Sequence, residues 1–427
     1  MYALYPYYLI ILFLAAVQLA GLASFASGFF PYKVYLQGFA TLQTDIPPLP
    51  ALSDPELDLR LEPQFDRLVF MLVDALRDDF VYGNESAMSF VQSKISQGKA
   101  LAYTAIAEAP TVTLPRIKAL TTGSVPSFLD AILNIAESDT TATLLNQDNW
   151  LAQMRRAHKT IHFFGDDTWI KLFPGLFGRM EGTTSSRTTP CTFPLKDTTE
   201  VDLNVTRNVL PELGKPDWDV LIFHYLGLDH IGHTGGPKSP LMKPKQKEMD
   251  DVARSIYESV AESDARRREQ DPDTKGTLFV LCGDHGMNEV GYAQCVDHAA
   301  VILPYCFHGS AITEAHLAEK FHLLPHLPYV TLNRTRHDPT IDSHFGIQAF
   351  LFITPVQDTG NKVNDAADTG SLENEAQPNV ELLDIPVRVI RQIDVVPTLA
   401  LLLGVPIPKN SLGRVVLDMF INNKGQF

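Results

Sequence analysis

Three short apolar runs each end in carboxylate or imidazole side chains. This pattern limits the possible folds more than any other feature of the chain. LVFMLVD ends at Asp74, DVLIFHYLGLDHIGH ends with Asp229, His230 and His233, and TLFVLCGDHGM carries Asp284 and His285. Runs that are continuously apolar, rather than alternating, belong to strands covered by helices on both faces. The fold class is therefore α/β, with a mostly parallel central sheet whose sites lie at the carboxyl ends of strands. Strands are expected at Leu68–Val73, Thr160–Phe164, Asp219–His224, Leu278–Cys282 and Ala349–Thr354. A helix is expected over Lys245–Ser263, just after Pro244, with the following DARRREQDPD stretch as a solvated surface loop. Asp358–Pro378 reads as a polar loop.

Asp and His donors suit zinc or another divalent ion. Taken singly, an Asp after a strand is most often a cap or turn residue. Three such strand ends in one chain shift the balance towards a site. A further element is APTVTLPRIKALTTG, Ala109–Gly123. It places Thr113 at a helix N-terminus, where backbone N–H groups stabilise an anion. Alone, PTVT is a helix cap; beside the strand ends it reads as a nucleophile. His224 fits a buried strand histidine with a hydrogen-bond partner at least as well as it fits a ligand.

The rest of the chain sets the context. Of 427 residues, 35 are Lys or Arg and 50 are Asp or Glu, a net charge of −15. That balance argues against nucleic acid as a partner. Four cysteines without a CxxC pair argue against a thiolate zinc site or a disulfide scaffold. From Tyr7 to Phe30 the chain is almost wholly apolar, and Tyr5, Tyr7, Tyr8 and Tyr32 flank the run. About 24 residues at 1.5 Å each cover the ~30 Å hydrocarbon core. Residues 1–33 are read as a membrane anchor. A cleaved signal peptide is disfavoured by the missing basic n-region and by the length of the run. Lys33 weakly favours a cytoplasmic C-terminal side. The sequons at Asn84, Asn204 and Asn333 favour a lumenal one, which is the orientation expected here. Thr44–Pro63 is Pro-rich, so residues 34–64 are read as an extended stalk. Residues 65–420 then form the catalytic domain.

The blocks VDALRDDFV, PTVTLPRIKALTTG, FFGDDTWIKLFPGLFGRMEGTTS, HYLGLDHIGHTGGP, CGDHGMNEVG and QIDVVPTLALLLGVPIPKNSLG resemble the GPI ethanolamine phosphate transferases, members of the alkaline-phosphatase-like superfamily. HYLGLDHIGHTGGP and GDDTWIKLFP look most like the branch acting on the second mannose. The resemblance covers residues 65–291 and 347–420. It implies an alkaline-phosphatase-like three-layer sandwich with two divalent metal ions, Zn2+ by preference. One ion would be held by Asp74, Thr113, Asp284 and His285. The other would be held by Asp229, His233, at the D-x-x-x-H spacing, and a later His; His230 is not a ligand. The implied reaction moves phosphoethanolamine from phosphatidylethanolamine to a mannose of the GPI precursor through a covalent Thr113 intermediate. The implied location is the endoplasmic reticulum membrane, with the catalytic domain lumenal and a small membrane-protein partner subunit. Glu108 or Asp167 are candidates for ethanolamine recognition. The competing readings are a phosphodiesterase or nucleotide pyrophosphatase-like hydrolase with the same site, and a catalytically impaired fragment.

The chain departs from the family pattern in places. After Gly291, residues 292–307 precede His308-Gly309-Ser310, and residues 316–346 precede IQAFLFITP. Both stretches read as translated introns. Removing them brings HGSAITEA against IQAFLFITP, which selects His308 as the seventh ligand over His298 and His344. SRTTPCTFPLK, from Ser186, is a smaller altered stretch. The polytopic membrane region that follows in the family is expected to be missing.

Overall fold

A computed structural model describes residues 5–29, 35–41, 63–126, 144, 146–183, 199–287, 347–353 and 388–421. Helix α1, Tyr5–Phe29, is followed by β1, Arg67–Val73, then α2, Asp78–Tyr82, and α3, Ser89–Ser96. β2, Ala100–Ile106, leads to α4, Thr113–Thr122, and then α5, Trp150–Arg156. β3, Ile161–Asp166, is followed by α6, Thr168–Leu172, and β4, Met180–Thr183. α7, Glu200–Leu213, precedes β5, Val220–Tyr225, α8, Gly227–Gly235, and the long α9, Met242–Gln270. β6, Thr277–Cys282, β7, Ile347–Ile353, β8, Arg388–Arg391, α10, Val395–Leu402, and α11, Asp418–Ile421, complete the order.

The strands form one sheet in the order β4-β3-β5-β1-β6-β7-β2-β8. Among the described strands β7 alone runs against its neighbours, pairing antiparallel with both β6 and β2. β1 lies at the centre, parallel to β5 and β6. Its alternation divides the core into two halves. Leu68, Phe70 and Leu72 pack with Ile117, Leu120, Trp150 and Leu399 on one face. Val69, Met71 and Val73 pack with Val205, Val209, Met249 and Ile256 on the other. The result is three layers, helices over sheet over helices. Each fully buried aliphatic or aromatic side chain contributes about 1.5–3 kcal/mol.

The expected strands are present with ends moved by one or two residues. Three others, β2, β4 and β8, were not anticipated. β2 carries Ala, Tyr and Thr among its apolar residues, and β4 and β8 have four residues each, too short for a pattern. The expected helix over Lys245–Ser263 is longer at both ends. Pro244 sits in the first turn, where its missing N–H has no intrahelical role. The DARRREQ stretch read as a loop is helical, and the correction has a physical cause. Arg266 pairs with Glu262 at 3.0 Å one turn back, and Arg267 pairs with Asp264 at 3.3 Å and Asp66 at 3.1 Å. Arg266 and Glu262 decorate the outer face of α9, while Arg267 ties the helix to the residue before β1.

Candidate active site

The site assembles where the chain leaves β1, β5 and β6. Asp74 is the first residue past β1, and its N–H donates to Tyr225 O at 2.8 Å, which holds it beside β5. Ala75 then takes a left-handed φ of +58°, an uncommon conformation for a residue with a Cβ. Its N–H donates to Asp284 Oδ1 at 3.1 Å, so the acid after β6 braces the turn after β1. The side chains of Asp74 and Asp284 are 2% and 0% exposed.

Thr113 is the first residue of α4. Its Oγ1 donates to Asp74 Oδ2 at 3.1 Å. Val112 caps the helix without a side-chain acceptor, so the N–H groups of the first turn remain open for an anion. His285 Nδ1 lies 2.8 Å from Gly286 O, which makes that nitrogen the donor. Its Nε2 then faces Asp74 Oδ1 at 3.2 Å and Asp284 Oδ2 at 3.5 Å. Those two buried oxygens accept no hydrogen bond. Ligand atoms of Asp74, Asp229 and His285 all lie within 4.8 Å of one another. Buried anionic oxygens without donors, converging on an imidazole nitrogen, are the donor set of a divalent cation. The residues therefore fit the metal that the chemistry implies.

α8 delivers the remaining pair. Asp229 and His233 stand one turn apart, with His233 Nε2 at 3.3 Å from Asp229 Oδ1. The start of this helix is seated by Asp202, a buried acid of α7 that accepts Leu226 N at 2.9 Å, Gly227 N at 3.2 Å and Lys245 Nζ at 3.2 Å. The structure thus brings Asp74, Thr113, Asp229, His233, Asp284 and His285 to one end of the sheet. His230, the residue between Asp229 and His233, is not part of the described cluster. His308, His298, His344, Asn333 and both atypical stretches lie outside the described residues.

Electrostatics follow from burial of like charges. Burial, then the Asp74 carboxylate, pushes Asp284 up to about 7. Burial also opposes the charge on Asp74, but His285 and His224 outweigh it and hold Asp74 well below the usual carboxylate range. For His285 burial acts downward, and Asp284 and Asp74 overcome it and raise it well above an ordinary histidine.

Behind Asp74 lies a layer of which the sequence indicated only His224, as a buried strand histidine. His224, on β5, is fully buried, and its Nε2 faces Asp74 Oδ2 at 3.7 Å. Its Nδ1 accepts the Trp169 indole N–H at 3.2 Å. Asp74 raises the His224 pKa against burial, whereas an N–H already aimed at Nδ1 opposes a second proton. The indole therefore selects the tautomer with its proton on Nε2, facing the carboxylate. Gln392 donates to Asp284 O at 2.5 Å and accepts from Arg116 of α4 at 3.0 Å, coupling the Thr113 helix to the β6 loop. For Trp169 and Gln392 the only sequence signal was membership of the blocks GDDTWIKLFP and QIDVVPTLALLLG. Of the two residues considered for ethanolamine recognition, Glu108 pairs with Arg391 and Asp167 pairs with Lys171 at 3.0 Å.

Residues 138–322 match a family described as Type I phosphodiesterase / nucleotide pyrophosphatase. The chain is 43% identical over 397 residues to GPI ethanolamine phosphate transferase 2 of Aspergillus fumigatus, covering 93% of this chain and 41% of that protein. It is 40% identical to the protein of the same name from Candida albicans, covering 95% of this chain and 37% of that one. The chain belongs to the GPI ethanolamine phosphate transferase family. This family member spans about two fifths of the length of the curated relatives it matches. Among solved structures it is similar to a protein of the alkaline phosphatase superfamily from Vibrio parahaemolyticus, with a TM-score of 0.45 and 16% identity over 82% of this chain and 70% of that one. The described strands and helices of this transferase-family chain form the three-layer α/β arrangement, with a mostly parallel sheet, expected from its strand ends.

Proposed function

We propose that this chain carries the catalytic domain of a phosphoethanolamine transferase of GPI-anchor biosynthesis. The donor is phosphatidylethanolamine and the acceptor a mannose, the second, of the GPI precursor. The observation that carries the reading is the Thr113 hydroxyl at the open end of α4, bonded to Asp74 inside a cluster of cation-seeking ligands. Asp74, Thr113, Asp284 and His285 would hold one ion, and Asp229, His233 and His308 a second, with zinc favoured by these donors. When bound, such ions supply positive charge to the phosphoryl oxygens and lower the pKa of hydroxyl groups.

The protein's own residues do the orienting. Asp74 Oδ2 accepts the Thr113 hydroxyl hydrogen and leaves an Oγ1 lone pair free for phosphorus. The N–H groups opening α4 face the anion with the positive end of the helix dipole. In the first step the Oγ1–P bond forms and the bond from phosphorus to the diacylglycerol oxygen breaks, with diacylglycerol leaving protonated. In the second the mannose 6-hydroxyl oxygen bonds phosphorus, the P–Oγ1 bond breaks, and the proton lost by the mannose hydroxyl ends on Oγ1, which regenerates Thr113. The apolar helix α1 and the family support an enzyme of the endoplasmic reticulum membrane, with this domain on the lumenal side. A small membrane-protein subunit is a further expected partner.

The test is a mass spectrum of the Thr113 peptide after incubation with phosphatidylethanolamine. A phosphoethanolamine adduct is expected on Thr113. Thr113→Ala should lack it, keep its melting temperature and lose roughly 10³-fold or more in turnover. Normal turnover in that variant sinks the nucleophile assignment. A second reading, hydrolysis, is favoured by the phosphodiesterase family match across residues 138–322. It predicts free phosphoethanolamine in place of a modified glycan. An impaired fragment predicts neither adduct nor bound metal.

A further inference from the structure

The chain after α1 is fastened to the catalytic domain within a few residues of the helix. Leu36 N donates to Asn410 Oδ1 at 2.8 Å, and Asn410 Nδ2 returns a bond to Leu36 O at 3.1 Å. Lys409 Nζ reaches Gln37 O at 3.4 Å, and the Arg156 guanidinium lies 4.9 Å above the Phe39 ring. Ala40 is buried; its N–H donates to Asp148 Oδ2 at 2.8 Å and its carbonyl accepts Gln153 Nε2 at 3.2 Å. Asp148, also buried, takes Lys409 N at 2.9 Å on the same oxygen. Residues 36–40 are therefore a strap, held by two separate stretches of the domain.

Geometry then limits where this face can lie. The chain between Phe29 and Leu36 can reach at most about 25 Å. Around the strap, Leu36 and Leu412 are 63% and 62% exposed, and Leu417 is exposed nearby in sequence. Lys409 and Arg156, which touch the strap, are exposed, and so are Arg155 beside Arg156 and Arg414 two residues after Leu412 in sequence. A chain with a net charge of −15 thus gathers leucines and cations on the face nearest its apolar helix. Long cations over leucine side chains suit a lipid headgroup layer.

We propose that the strap holds this face, centred on Lys409–Leu417, against the bilayer surface into which α1 inserts. The inference rests on α1 as a membrane span. Its consequence is positional. Leu412 N donates to Gly123 O at the end of α4, and α4 places Thr113 about 15 Å further along. The strap thereby fixes the nucleophile at a set distance from the lipid surface.

The experiment reconstitutes the full chain in vesicles of phosphatidylcholine brominated near the headgroup. Tryptophan is introduced at one position at a time, as Leu412→Trp, Leu203→Trp or Leu14→Trp. The native Trp150, Trp169 and Trp218 are buried and give a common background. Leu203 is an exposed control on α7, and Leu14 reports α1. Leu412→Trp should be quenched at least about twofold more than Leu203→Trp, and Asn410→Ala in the Leu412→Trp protein should reduce that difference. Equal quenching at 412 and 203, with Leu14→Trp quenched, overturns the proposal and leaves the anchor intact. Absence of quenching at Leu14→Trp overturns the anchor reading and the proposal together. Shielding at 412 that follows protein concentration and not bromine assigns the face to a second copy, and also overturns it.

Discussion

Trp169 shows how much of the site depends on a side chain that touches no substrate. Its ring stacks on Phe163, with centroids 5.6 Å apart, and its N–H reaches His224. Trp169→Phe keeps most of the packing and removes only the donor. The imidazole is then free to change tautomer, and Asp74 loses a fixed neighbour. Losses of this kind behind a ligand cost 10–100-fold in metal affinity. The expected result is a metal titration weakened about 10-fold or more, with a melting temperature lowered by only a few degrees. An unchanged affinity would remove Trp169 from the account of Asp74. Asp284 makes the same point from the other side, because its carbonyl and one carboxylate oxygen are spent on Gln392 and Ala75. Only Oδ2 is left for an ion.

At the scale of elements, α8 depends on a contact that only glycine permits. A Cβ on Gly227 would meet Asp202 Oδ2 at 2.2 Å and Lys245 Cε at 2.8 Å, both buried. Gly227→Ala should displace the helix start, lower stability by about 1–3 kcal/mol and reduce metal content through Asp229 and His233. Elemental analysis beside a melting curve separates the two effects, and full metal content would argue against this seat. A second element-level device joins α7 to the loop before β4. Glu212 binds Arg179 at 2.8 Å and Lys215 at 2.7 Å. Burial raises its pKa, but Lys215 and Arg179 outweigh burial and the net shift is downward. A lowered carboxylate pKa stabilises the fold above the ordinary value and loses that contribution as pH falls through the shifted one. Glu212→Gln should therefore lower stability at neutral pH by about 1 kcal/mol, given partners that are partly solvated. The difference from the wild type should vanish below about pH 3–4, as read from melting temperature against pH.

Across the whole molecule, the candidate site and the strap lie on different elements. The carboxyl ends of β1, β5 and β6 carry the candidate ligands, while the strap at residues 36–40 joins the domain to its apolar helix. Orientation across the membrane is tested at Asn84. This sequon residue is exposed after α2, and Ser86 beside it donates to Phe80 O at 2.5 Å. A lumenal domain should carry a glycan there that a glycosidase removes, and Asn84→Gln should abolish that shift. Asn204 lies within α7 and is half-buried, a poorer acceptor. A glycan-free Asn84 in the membrane-inserted protein would count against the lumenal placement.

The α/β class, the buried central strands and the residues Asp74, Thr113, Asp229, His233, Asp284 and His285 were legible in the sequence. They were legible because apolar continuity and strand-end carboxylates are local patterns, fixed by burial on two faces. Strands β2, β4 and β8 were not, since short or mixed segments become strands only when a neighbour supplies their hydrogen bonds. The charged end of α9 was misread for a related reason: its helicity is stabilised by partners one turn away and just before β1. Trp169, Gln392 and Asp202 were invisible as site residues. Their roles are contacts made across more than a hundred residues of chain for Gln392 and tens for the others. Sequence alone determined which groups could bind an ion, because that is a property of donor atoms. Tertiary structure decided which of them meet, which tautomer each presents and where the domain is strapped, because those depend on distances that only packing sets.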